Sequence, residues 1–83
     1  MPHPLQINQD FEFQRQDIPS ENLESAGYDE ANETLEVEFL HSGEIYRYTN
    51  ISLGVFDAML GASTPGQYFY HFIRKSYPYY RIQ

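Results

Sequence analysis

The chain has 83 residues and a mass of 9.8 kDa, enough for one small domain and too little for two. Eight Tyr and six Phe in a composition that is 41% apolar exclude a disordered polymer and predict a packed core. Twelve acids against five bases give a formal charge of −7, and the lack of cysteine excludes a disulfide framework or a thiolate metal site. No apolar run reaches the roughly 20 residues a membrane helix needs. After Met1, Pro2-His3-Pro4 offers neither the basic nor the apolar region of a signal peptide. These features predict a soluble cytoplasmic protein with no membrane partner.

The charge is unevenly spread. Residues 1–57 hold all twelve acids with Arg15 and Arg47, whereas residues 58–83 hold Arg74, Lys75 and Arg81 and no acid. The chain as a whole repels nucleic acid, but its basic C-terminal third is a candidate docking face if the fold separates it from the acids.

Residues 1–19 are polar, carry Pro2, Pro4 and Pro19, and read as a flexible N-terminal tail ahead of a domain over 20–83. Within the tail, Phe11-Glu12-Phe13 alternates and suggests a short edge strand or a contact between subunits. Asn22–Tyr28 reads as a strand, followed by the turn-forming run Asp29–Glu33. Thr34–Leu40 then alternates with period two, placing Leu35, Val37 and Phe39 on one face and Glu36 and Glu38 on the other. Ser42-Gly43 is a turn signal and Glu44–Thr49 the returning strand. A two-residue turn there sets Phe39 opposite Tyr46, Val37 opposite Tyr48, and Glu38 opposite Arg47.

Two helices follow. Ser52 is an N-cap candidate before a stripe of Ile51, Val55, Phe56, Met59 and Leu60 that ends at Gly61. Thr64-Pro65-Gly66-Gln67 has the form of a capping box with proline at the first helical position. Tyr68, Phe69, Phe72 and Ile73 form the second stripe, with Tyr70, His71 and Arg74 on the other side. Arg74 and Lys75 suit the negative end of the helix dipole, and Pro78 stops the helix. Tyr79–Ile82 reads as a short C-terminal edge strand. The expected fold is α+β: a three-stranded antiparallel meander followed by two helices on one face, in the order β-β-β-α-α.

These pieces, in this order and spacing, resemble a KTSC domain, a small module found at the C-terminus of some lysyl-tRNA synthetases and as a stand-alone bacterial protein. The resemblance runs from about Ser20 to Ile82. It rests on Gly27-Tyr28-Asp29, the strand Leu35–Phe39, the motif Tyr46-Arg47-Tyr48, Tyr68-Phe69 through Ile73-Arg74, and the closing Tyr77–Ile82. It implies an accessory module for which RNA binding has been proposed. Two stretches depart from the family pattern: Ser63-Thr64-Pro65 lacks a basic residue, and Tyr70-His71-Phe72 replaces small polar and basic residues.

Tyr46 and Tyr48 are candidate base-stacking platforms, but they share a face with Val37 and Phe39, which predicts core packing. Arg47 is expected in a surface pair with Glu38. Arg74, Lys75 and Arg81, interleaved with Tyr77, Tyr79 and Tyr80 and extended by Tyr70 and His71, form the candidate nucleic-acid face. Cations beside rings suit phosphate contact with stacking, although the same residues would also complete a thin core.

Catalysis is not expected. His3, His41 and His71 are scattered without metal-ligand spacing, no serine sits in a nucleophile elbow, and Glu36 and Glu38 read as solvated surface acids. No cofactor or metal is implied. The reading is a non-catalytic accessory module binding RNA through its C-terminal basic and aromatic patch. One alternative is a protein-interaction module, a homodimer or an acidic inhibitor-like protein, in which the tail residues Phe11 and Phe13 or the acidic strand face of Glu24, Glu36, Glu38 and Glu44 meet a basic partner. The other is a pocket for a small anionic nucleotide between the sheet and the C-terminal tyrosines.

Overall fold

In the computed structural model, which describes residues 13–18, 20 and 22–83, five strands form one antiparallel sheet in chain order. They are β1 (Gln16–Asp17), β2 (Leu23–Asp29), β3 (Thr34–Phe39), β4 (Ile45–Tyr48) and β5 (Tyr79–Arg81). Between β4 and β5 lie α1 (Leu53–Gly61) and α2 (Pro65–Tyr68), and α2 runs on as a π-helical turn over Phe69–Ile73. The expected meander is therefore the centre of a wider sheet. β5 is the expected closing strand, and β1 is an addition that lies inside the segment read as tail. Of the alternating Phe11-Glu12-Phe13, the first two residues lie outside the described residues, and Phe13 precedes β1 without joining a strand.

The two faces of the sheet have opposite chemistry. Leu35, Val37, Ala26, Tyr48 and Leu23 point toward the helices and are buried with Ile51, Met59, Phe69 and Ile73. The register slips between Leu23 and Ser25, so a bulge at Glu24 puts both Leu23 and Ala26 on the helix side and turns Ser25 and Gly27 outward. Phe56 of α1 stacks on Tyr28, ring centroids 4.7 Å apart, which seats that helix over β2.

The hairpin register differs from expectation by two residues. Leu35 opposes Tyr48, Glu36 opposes Arg47 and Val37 opposes Tyr46. Phe39 N–H donates to the Glu44 carbonyl at 2.9 Å and Gly43 N–H to the Phe39 carbonyl at 3.0 Å, closing a four-residue loop rather than a two-residue turn. Gly43 ends that loop at φ 74°, a conformation open to glycine at little cost. A slip of two keeps every side chain on its expected face and changes only its partner. Arg47 consequently pairs with Glu36, and Glu36 is buried rather than a solvated surface acid.

The helices also depart in detail. Ser52 Oγ accepts from Val55 N–H at 3.3 Å, as an N-cap should. Thr64 forms no side-chain cap; its carbonyl takes the Gln67 and Tyr68 N–H groups instead, so the capping box is not made. Arg74 N–H donates to the Phe69 carbonyl at 2.9 Å, an i to i−5 bond that widens the turn. Phe69 and Ile73 stay fully buried while Phe72, expected in the stripe, is 60% exposed.

Candidate nucleic-acid interface

Behind β3–β5, on the helix side, the sheet and the π-helical turn enclose a groove of about 600 Å³. Tyr46, Tyr48 and Tyr79 form its floor, because the β4–β5 register sets Tyr48 beside Tyr79 and Tyr46 beside Arg81. Tyr79 lies 5.3 Å from Tyr48 and 5.8 Å from Tyr46, measured between ring centroids. Phe39 continues the aromatic wall edge-on to Tyr46. Tyr70, Arg74 and Lys75 supply the helical wall, and the Arg74 guanidinium sits 4.7 Å from the Tyr70 ring centroid. Asn22, His41, Ser42 and Glu44 close the end beside the β3–β4 loop.

The groove is wet at its rim and dry at its base. Tyr48 is buried, and removal of its hydroxyl from water pushes its pKa up to about 12, against the opposing pull of the Arg74 charge. Arg81 reaches back to Glu44, Nη1 to Oε2 3.5 Å, so the cation at the edge strand is already partnered. Arg74 and Lys75 form no ion pair among the described residues.

The structure divides the sequence-derived patch. Tyr70, Arg74, Lys75 and Tyr79 converge on one groove, with Tyr46 and Tyr48 beneath them. Tyr77 is half-buried against the core, and His71 is exposed outside the groove lining. Tyr80 alternates to the opposite face, where it opposes Arg47. Arg47 is on that outer face too, so the central motif splits: its tyrosines face the groove and its arginine faces away. Asn22, Phe39, His41 and Ser42 were missed as groove residues. The four-residue loop that brings His41 and Ser42 to the groove end was hidden by the apparent two-residue turn.

On the outer face, Glu36 lies between two guanidinium groups, Arg47 Nε at 2.8 Å and Arg15 Nη1 at 2.6 Å. Arg15 also reaches Glu38 at 3.5 Å, and the Phe13 ring lies 4.7 Å from the Arg47 guanidinium carbon. Burial pulls the Arg47 pKa down, but Glu36 and the neighbouring Tyr80 hydroxyl outweigh it and the net shift is upward. The segment entering β1 crosses the sheet at Gly27, where a Cβ would sit 3.0 Å from Arg15 Cγ and 3.1 Å from the Gln14 carbonyl. Among the described residues no three metal-ligating side chains converge, and no helix is long and apolar enough to cross a membrane.

The KTSC domain model matches residues 19–77, most of the chain. The chain belongs to the KTSC domain family. A KTSC domain protein from Yersinia pestis, known from a crystal structure, superposes with a TM-score of 0.80 at 28% identity. That match covers 87% of this KTSC domain and all of the Yersinia chain. A protein of Stutzerimonas stutzeri (strain A1501), described as uncharacterised, is 39% identical over 66 residues, 78% of this chain and 92% of its own. The family match closes at residue 77, so β5, which supplies Tyr79 to the groove, lies beyond it, as does the Phe13–Asp17 segment on the outer face.

Proposed function

We propose that this KTSC domain is a non-catalytic RNA-binding module whose site is the groove between β3–β5 and the π-helical turn. The observation that supports it is the convergence of Tyr46, Tyr70 and Tyr79 with Arg74 and Lys75, neither of which has a carboxylate partner among the described residues. Rings of this kind stack bases without reading sequence, at about 1–3 kcal/mol per base, while the cations take phosphate oxygens. The −7 overall charge disfavours nucleic acid over the rest of the surface, which favours binding on this side.

The test is an amide NMR titration of the labelled protein with short single-stranded RNA at low and physiological salt. Salt-sensitive shifts around Tyr46, residues 70–75 and Tyr79, lost in the Arg74→Gln/Lys75→Gln variant, are the expected outcome. Absence of shifts at low salt would sink the proposal and turn attention to protein partners of the acidic face.

A further inference from the structure

We infer that the groove takes a nucleoside phosphomonoester, either the phosphorylated end of an RNA strand or a free mononucleotide, in preference to the internal phosphodiesters of a long strand. The inference rests on the nucleic-acid reading of the groove and narrows it. It follows from the disposition of every cation in the chain.

There are five Lys and Arg side chains. Arg15 and Arg47 lie on the outer face, bound to Glu36 and, for Arg15, also to Glu38. Arg81 is engaged by Glu44 and donates from Nε to the Gln83 carbonyl at 3.1 Å. Only Arg74 and Lys75 have no carboxylate partner among the described residues, and they are adjacent in sequence and line the same groove. Two positive charges lining one groove match a phosphomonoester, which carries about −1.5 to −2 at pH 7. An internal diester carries a single negative charge and would leave one cation unmatched.

Length gives a second argument. A strand that continues past the groove needs further cations to follow its backbone, as strand-binding grooves provide. Here the next cation, Arg81, is held by an acid, and Glu44 stands at the groove end. Additional nucleotides therefore gain no contact with an unpaired cation and meet the Glu44 carboxylate at the groove end. The groove volume of about 600 Å³ falls within the range of small-ligand pockets. A single phosphate contact also limits the salt dependence: for the phosphorylated strand the slope of log affinity against log salt should be about −0.7.

The experiment compares adenosine, AMP and three hexa-adenylates by amide NMR titration of the intact chain. One hexamer carries a 5′-phosphate, one a 3′-phosphate, and one hydroxyls at both ends. AMP and at least one phosphorylated hexamer should bind with affinities within a few-fold of each other and shift the same amides around Tyr46, Tyr70, Arg74 and Tyr79. Adenosine and the hydroxyl-ended hexamer should bind at least tenfold more weakly. In Arg74→Gln and in Lys75→Gln, judged folded by unchanged dispersion elsewhere, the advantage of the phosphate should disappear. If AMP binds and no hexamer does, the ligand is a free mononucleotide: the phosphomonoester assignment holds and the RNA reading fails. If the hydroxyl-ended hexamer binds as tightly as the phosphorylated ones and more tightly than AMP, the phosphomonoester assignment fails while RNA binding stands. If nothing shifts these amides, both fail.

Discussion

Arg47 donates from Nε to Glu36 Oε1 at 2.8 Å directly across the β3–β4 pair, and the carboxylate that accepts it is almost fully buried. A carboxylate in that position carries a desolvation cost of several kcal/mol, offset here by a second arginine, Arg15, on its other oxygen. The outer face therefore carries a four-charge network of Glu36, Glu38, Arg15 and Arg47, tying the N-terminal segment to the central hairpin.

Removing one arm of that network leaves a buried charge with a single partner. Arg47→Ala should cost about 2–4 kcal/mol, toward the range for breaking buried pairs. Arg15→Ala should cost less, because Arg15 precedes the two-residue edge strand β1 in a segment whose ordering offsets part of its gain. Urea midpoints of both variants check the ranking. Equal losses, or no loss for Arg47→Ala, would show that the network contributes little.

Gly27 is where the N-terminal segment crosses the sheet. Gly27→Ala should cost about 1–3 kcal/mol, the usual range for overpacking, because its nearest neighbours include the Gln14 carbonyl and Arg15 Cα as well as a movable side chain. Trypsin should then cut after Arg15 faster than in the parent chain. In a chain starting at Gln16 the same substitution should lose most of its effect, which separates crossing of the segment from strand propensity.

The alkaline limb of stability should carry the mark of Tyr48. Its folded-state pKa of about 12 lies above the ordinary value of 10.0, so the folded chain holds a proton that the unfolded chain releases. That contribution is complete below pH 10 and is lost as pH rises through about 12, at up to about 1.4 kcal/mol per pH unit. Burial raises the Tyr28 pKa in the same direction, with Glu33, Glu30, Asp29 and Asp57 adding to the rise. Tyr48→Phe should flatten the fall in denaturation midpoint between pH 10 and 12, with tyrosine ionisation followed by ultraviolet difference absorbance. An unchanged slope would assign the alkaline loss elsewhere.

Glu44 both lines the groove and holds Arg81. Glu44→Gln removes a negative charge from the rim and releases a cation beside Tyr46, so phosphorylated ligands should bind several-fold more tightly. The salt dependence should steepen by about one phosphate contact, a slope change of about −0.7. Weaker binding in Glu44→Gln would mean that the carboxylate itself contacts the ligand.

Much of the architecture was legible because period-two alternation from Thr34 to Phe39 and the two helical stripes mark which faces meet the core, although Phe72 of the second stripe is exposed. The groove was partly legible: Tyr70, Arg74, Lys75 and Tyr79 came from the basic, aromatic C-terminal run. Tyr80 did not belong with them, because β5 alternates like any strand and sends it to the face of Arg47. Nor did His71, which lies within the π-helical turn, or Tyr77, which follows it, and no local pattern announces that turn.

The amino-acid pattern by itself determined the sidedness of this protein: a strand whose odd positions are apolar and even positions acidic can turn only one face to the apolar core, whatever it pairs with. Tertiary structure alone decided the partners. A two-residue slip preserves every face and is silent in the pattern, so whether Arg47 met Glu36 or Glu38 depended on the closure of the Leu40–Gly43 loop. The same closure sets Glu36 opposite Arg47 on the outer face, where Arg15, lying across Gly27, becomes its second partner.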